Sequence, residues 1–362
     1  MTARRTTLDL SALGAAALIA ALGAGCAKTD DDYKRDITQG MHDTLLSGID
    51  GLLQASKDVR ASAPRPTGRG WDATQDAAAI TATKAAWVRA RRSYELIEGA
   101  LAPIFPDIDF GIDARYDDYL AAAGASGDTY LFDDQGVTGL HGVERVLYAH
   151  EVPPEVITFE SQLPGYRAPA WPATEQEAAD FRDSLCARMV ADAQALHDQW
   201  TPANIDLGGA FDGLVALMNE QKEKVNKAST SEEESRYSQR TMADIRDNLE
   251  GTRQAYELFE PWLESKPGAS EAESGRAVNE AIRSGFEELD VLYGRVNGDA
   301  IPRPPSTWSS ENPGSNSPAD LASPFGVLYT GVHGAVDPAT QGSVVERMNR
   351  AAALLGFEGF EE

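Results

Sequence analysis

The stretch ITATKAAWVRARRSYELIEGAL, residues 80–101, decides the fold class. Ile80, Trp87, Tyr94 and Leu101 recur every seven residues, which is the buried stripe of a long helix and not the alternation of a strand. Glu98 falls on that stripe, four residues after Tyr94 and three before Leu101, and Glu95 sits one turn earlier beside it. A carboxylate on a core-facing stripe is costly unless something pairs with it. Arg91, four residues before Glu95, supplies an ion pair on the same face, and for Glu95 alone that pairing is the simpler reading. For Glu98 an ion pair and a metal ligand both stay open.

The same period extends in both directions. Ile37, Met41, Leu45, Ile49 and Leu52 form a stripe in the preceding segment. Helical patterns follow near 174–200, 207–228, 232–265 and 271–297, and VVERMNRAAALLGF near the end is again amphipathic. Almost no strand signal interrupts them. Pro- and Gly-rich breaks lie at 64–70 and 163–174, and residues 298–324 read as a long loop. Long helices joined by short breaks predict an all-α fold of two antiparallel helical bundles, spanning 30–165 and 170–362. Two phrases recur in the same order in the two halves: YELIE (94–98) with GLHGVE (139–144), and YELFE (256–260) with GVHGAV (331–336). An internal duplication is expected from them.

The chain has 362 residues with 57 acidic and 32 basic side chains, a net charge of −25. Such a surface repels phosphate backbones and attracts cations, so nucleic acid is excluded as a partner. Residues 1–25 carry Arg4 and Arg5 and then an apolar run ending in small residues, an export signal that meets Cys26. Lipoprotein processing with acylation of Cys26 is the expected outcome and simple cleavage the alternative. Either way the mature chain works outside the cytoplasm, and a lipid would tether it to a membrane without spanning it. With Cys26 acylated, Cys186 has no partner; it lies in a helical pattern as a buried, inert thiol.

His141 and Glu144, three apart on one helical face, can chelate one ion through an imidazole nitrogen and a carboxylate oxygen. HGVER lacks the second histidine of a zincin helix. Across one bundle from YELIE, they complete a set of Glu95, Glu98, His141 and Glu144, which is oxygen-rich with a single imidazole. That set suits iron first, with zinc or copper as alternatives. His42, His150 and His197 have no acidic partner at chelating spacing and read as packing or surface residues. His333 faces Val336 where Glu144 has its counterpart, so it reads as structural. SEEES (231–235) reads as a solvated helix start, and Thr138 as the cap of the helix carrying His141.

AAWVRARRSYELIEGALAPIFPDIDFGID followed by TGLHGVERVLY, with RYSQRTMADIRDNLEGTRQAYELFEPWLES at 236–265, resembles the imelysin family, whose mark is G-x-H-x-x-E. The likeness runs from about residue 35 to the C-terminus and is nearest the EfeO/EfeM-type branch of bacterial periplasmic iron-uptake components, in a short form without a cupredoxin domain. It implies an all-α fold of two bundles with a groove between them. Its motif maps to Gly139, His141 and Glu144, and its Y-E-x-x-E to Tyr94, Glu95 and Glu98. An I-D-x-R element at Ile112, Asp113 and Arg115 adds Asp113 as a ligand, and Glu220 or Glu223 is expected to complete the set. The implied role is binding of iron in the periplasm or at the cell surface, as a lipoprotein that passes the metal to a membrane iron permease or peroxidase partner. The family's older classification implies a metal-dependent peptidase as the alternative. A second alternative is acidic polysaccharide binding, with Trp171, Trp262 and Trp308 as stacking surfaces.

Overall fold

Thr29 starts the first helix with a capping box: its hydroxyl accepts the Asp32 N–H at 3.3 Å, and the Asp32 carboxylate accepts the Thr29 N–H at 3.0 Å. Helix α1 (Asp30–Ser62) then buries Ile37, Met41, Leu45, Ile49 and Leu52, the stripe expected from its period. The structure is a computed structural model that describes residues 28–123 and 128–360. The export segment and Cys26 lie outside the described residues.

Helix α2 (Ala77–Glu95) lies along α1 and buries Ile80, Trp87 and Tyr94, while Leu101 follows on the short α3 (Glu98–Leu101). Next come α4 (Pro106–Asp113), α5 (Tyr116–Ala123), α6 (Gly139–Leu147) and α7 (Pro154–Glu160). Helix α8 (Glu175–Asp180) passes through a π turn at Phe181–Leu185 into α9 (Cys186–Gln199), which packs on α1, α4 and α6. Cys186 is fully buried there, as expected. The remaining helices are α10 (Leu207–Lys227), α11 (Thr241–Glu257), α12 (Glu260–Glu264), α13 (Gly275–Tyr293), α14 (Pro318–Leu321), α15 (Pro324–Val336) and α16 (Val344–Leu355). Helix α16 packs on α10, α13 and α15, and α15 on α10 and α13, with α11 against α10 and α13, and α3 is wedged onto α10 and α11. Among the described residues there is no strand, and no helix is long and apolar enough to cross a membrane.

One cluster of buried apolar side chains runs without a gap from Ile37 on α1 to Leu355 on α16. The two YELxE phrases break the helix at the same place: α2 stops at Glu95 and α3 resumes at Glu98, and α11 stops at Glu257 with α12 resuming at Glu260. Their companions differ. Helix α6 packs on α2, whereas α15 packs on α10, α13, α14 and α16. There His333 stacks on Tyr329 with ring centroids 4.1 Å apart, and burial lowers its pKa.

The helix expected over 232–265 begins only at Thr241. Residues 228–240 form an irregular loop in which Ser231 and Gln239 take left-handed φ values of 65° and 56°. Its physical cause is inward-turned charge: Glu233, Glu234 and Ser235 are buried, so the expectation that SEEES is a solvated helix start is overturned.

Candidate metal centre

The motif glycine sets the geometry. Gly139 has φ +66°, and a Cβ there would lie 2.1 Å from the Ile112 carbonyl oxygen, so only glycine lets α6 start hard against the end of α4. That contact brings His141 on α6 to Asp113 on α4. Trp87 Nε1 donates to the Leu140 carbonyl at 2.8 Å and ties α6 to α2. Thr138 occupies the N-cap position, but its hydroxyl reaches the Gly111 carbonyl at 3.4 Å and caps nothing on α6.

His141 is buried, and its Nδ1 donates to Glu144 Oε2 at 3.0 Å. The other Glu144 oxygen accepts the Ser238 N–H at 2.8 Å. Nε2 therefore faces the cluster. It stands 3.4 Å from Asp113 Oδ1 and makes no hydrogen bond, although it is buried. Burial lowers the His141 pKa, but the nearby Asp113 carboxylate and the hydrogen bond with Glu144 outweigh this and raise it to about 9.

Arg91 is the hub on the α2 side. Its buried guanidinium pairs with Glu95 at 2.5 Å, with Asp113, with Glu234, and through Nε with Asp244 at 3.5 Å. The ion pair read from the Arg91–Glu95 spacing is thus present, as one arm of a larger network. Lys224 on α10 is the second cation, 2.7 Å from Glu234, 3.6 Å from Glu98 and 3.8 Å from Glu95. Asn248 on α11 donates to Glu95 at 2.7 Å and Glu98 at 2.9 Å. Burial drives the Glu95 pKa well up, only partly offset by Arg91 and Lys224. Burial acts the same way on Glu234, yet Lys224 and Arg91 prevail and hold it well below the usual carboxylate range.

Two ligand-like sets emerge, each with its donor atoms within 4.8 Å of one another: Asp113, His141 and Glu234, and Glu95, Glu98 and Glu234. Four of the five expected site residues, Glu95, Glu98, Asp113 and His141, therefore converge. Glu144, the fifth, stands behind the imidazole and fixes its orientation. Both sets share Glu234, which sequence reasoning missed because an acidic run in an acidic chain carries no signal of burial. Glu220 and Glu223 line the mouth of the adjoining cleft, a hollow of about 260 Å³ also walled by Glu98, Asp113, Arg115 and Glu234. Glu223 pairs with Lys227 at 2.5 Å. A divalent or trivalent ion fits the donor set: hard carboxylate oxygens, one imidazole whose buried Nε2 lacks a hydrogen-bond partner, and a second carboxylate orienting that ring.

Of the three tryptophans expected to stack on sugars, Trp262 is fully buried and donates to Asp30 at 2.8 Å, so it offers no face to a ligand. Trp308 packs edge-on against Phe325 and Tyr329, and Trp171 stacks on His150 with centroids 4.0 Å apart.

Residues 27–292 match the sequence profile of the family described as Imelysin. The chain belongs to the imelysin family. Among curated proteins, this imelysin is similar to "Iron uptake system component EfeO" of Escherichia coli, 28% identical over 185 residues, and to the protein of the same name in Shigella flexneri at 27%. Each match takes in 51% of this chain and 39% of the relative, so the chain covers well under half the length of these relatives. The crystal structure of an imelysin-like protein from Psychrobacter arcticum shares the fold. Its TM-score is 0.59 at 13% identity, over 92% of this chain and 98% of that one.

Proposed function

We propose that this imelysin binds iron outside the cytoplasm, as a lipoprotein anchored through Cys26 in the periplasm or at the cell surface, and passes it to a membrane permease or peroxidase partner. The observation that carries the reading is the Asp113–His141–Glu234 set, with His141 and Glu234 buried and His141 Nε2 aimed into it without a hydrogen-bond partner. The similarity to proteins named as iron uptake components supports iron as the cargo. The cleft bounded by Glu98, Glu220 and Glu234 is the route by which a hydrated ion reaches the cluster. Peptidase chemistry would need a free base beside the ion, and Glu144 spends both of its oxygens on His141 and Ser238.

Calorimetric titration with Fe²⁺ under anaerobic conditions, with chelated Fe³⁺ and with Zn²⁺ tests the site. His141→Ala and Glu234→Gln should each weaken binding by about tenfold or more, since each removes a ligand and not merely its support. Equal binding by wild type and both variants would overturn the assignment.

A further inference from the structure

The Lys224 ammonium sits among the carboxylates of one of the two ligand-like sets. The Glu95, Glu98 and Glu234 oxygens form one of the two ligand-like sets, and Lys224 Nζ lies 2.7–3.8 Å from all three residues. Its remaining contact is a hydrogen bond to Asn248 Oδ1 at 2.9 Å. Glu234 is thus held by cations on both oxygens, Arg91 on one and Lys224 on the other. An entering ion that takes Glu234 as a ligand therefore competes with one of them for its charge.

The two cations are not equally able to leave. Arg91 is a planar fork, fully buried, spread over Glu95, Asp113, Glu234 and Asp244. Lys224 is a compact charge on a flexible four-carbon stem. Glu220 lies one helical turn before it on α10, and both line the same cleft. The cleft is lined by Glu98, Glu220, Glu223 and Glu234, so a swing of the ammonium from Glu234 toward Glu220 would stay among carboxylates.

We infer that Lys224 is a tethered competitor for the metal: it fills the Glu95–Glu98–Glu234 set until a multivalent cation displaces it toward Glu220, and it returns when the ion leaves. This inference rests on the reading of the cluster as a metal centre. A tethered group competes at an effective concentration in the millimolar range, whatever the bulk solution contains. Every capture is therefore an exchange of one charge for two or three. A monovalent ion gains nothing from that exchange, so the cluster selects multivalent cations. Release is assisted by the returning ammonium, which suits a protein that must give its cargo away.

Lys224→Met keeps the stem and removes the charge, and Lys224→Arg keeps a cation. Zn²⁺ and anaerobic Fe²⁺ titrations of the full mature chain, with rates of metal loss to a chelator, test the inference. Removing the competitor should tighten binding by about tenfold or more and slow release in proportion, while Lys224→Arg stays within a few-fold of wild type. The metal-induced rise in Tm should also be larger in Lys224→Met, a difference that a purely structural lysine would not produce. If Lys224→Met is unfolded in chelator, refolding on addition of Zn²⁺ supports the inference and failure to refold overturns it. A folded Lys224→Met that binds no more tightly than wild type overturns it while leaving the metal centre standing. A wild type that binds neither ion overturns both.

Discussion

At the scale of single residues, the proposed metal centre depends on atoms that would not touch an ion. Glu144 accepts two hydrogen bonds, one on each oxygen, from His141 Nδ1 and the Ser238 amide. A glutamine there has one acceptor and one donor group, so one of the two bonds must go. Glu144→Gln should leave the chain folded and lower metal affinity about 10–100-fold, the usual cost of losing a ligand's supporting contact. Titration beside a circular dichroism spectrum checks this, and unchanged affinity would remove Glu144 from the centre. Glu95, Glu98 and His141 were legible in the sequence because each sits on a helix whose period fixes which way it points. Asp113 was legible only through family likeness, since its burial comes from the approach of α6 to α4 at Gly139. Glu234 was not legible at all: nothing in SEEES distinguishes a carboxylate paired with Arg91 and Lys224 from one in water.

Among the helices, the decisive contact is the crossing of α11 over the break between α2 and α3. A Cβ on Gly251 would lie 2.2 Å from the Leu96 carbonyl oxygen, so α11 meets that break backbone to backbone. Asn248, one turn earlier on α11, is thereby held against Glu95 and Glu98. Gly251→Ala should push the helices apart, costing about 1–3 kcal/mol as overpacking does, and should weaken metal binding as well. Denaturant unfolding and titration of the same variant report the two effects, and a loss of stability with full affinity would uncouple the crossing from the site. Helical periodicity located α2, α6 and α10 because a repeating stripe announces itself. The 228–240 loop escaped because its left-handed turns fall on Ser231 and Gln239 and not on glycines, so it carries no turn signature.

For the molecule as a whole, charge governs how stability varies with pH. Burial raises the pKa of Asp109 and Glu233 to about 7 and of Asp244 and Asp247 to about 6, from ordinary values of 3.8 and 4.5. In that interval the folded chain binds protons that the unfolded chain has already lost, so stability falls as pH rises. His141, raised to about 9 against an ordinary 6.5, extends the same sign upward: its contribution is full below 6.5 and is lost as pH climbs through 9. The Tm in the presence of a chelator should therefore drop steadily from about pH 5 to about pH 8. Thermal unfolding across that range checks it, and a Tm that rises with pH would contradict the assignment. A bound multivalent cation, which takes the place of protons among these groups, should flatten the slope.

The unbroken core from Ile37 to Leu355 gives this dependence a wider reach. The charged cluster lies inside that shared core, and a core that opens as one unit passes energy gained at the cluster to helices that lie far from it. On the proposed reading, loading the centre would lengthen the life of the whole chain against proteolysis, α16 as much as α6. Scarcity of metal would be recorded as faster turnover of the protein itself.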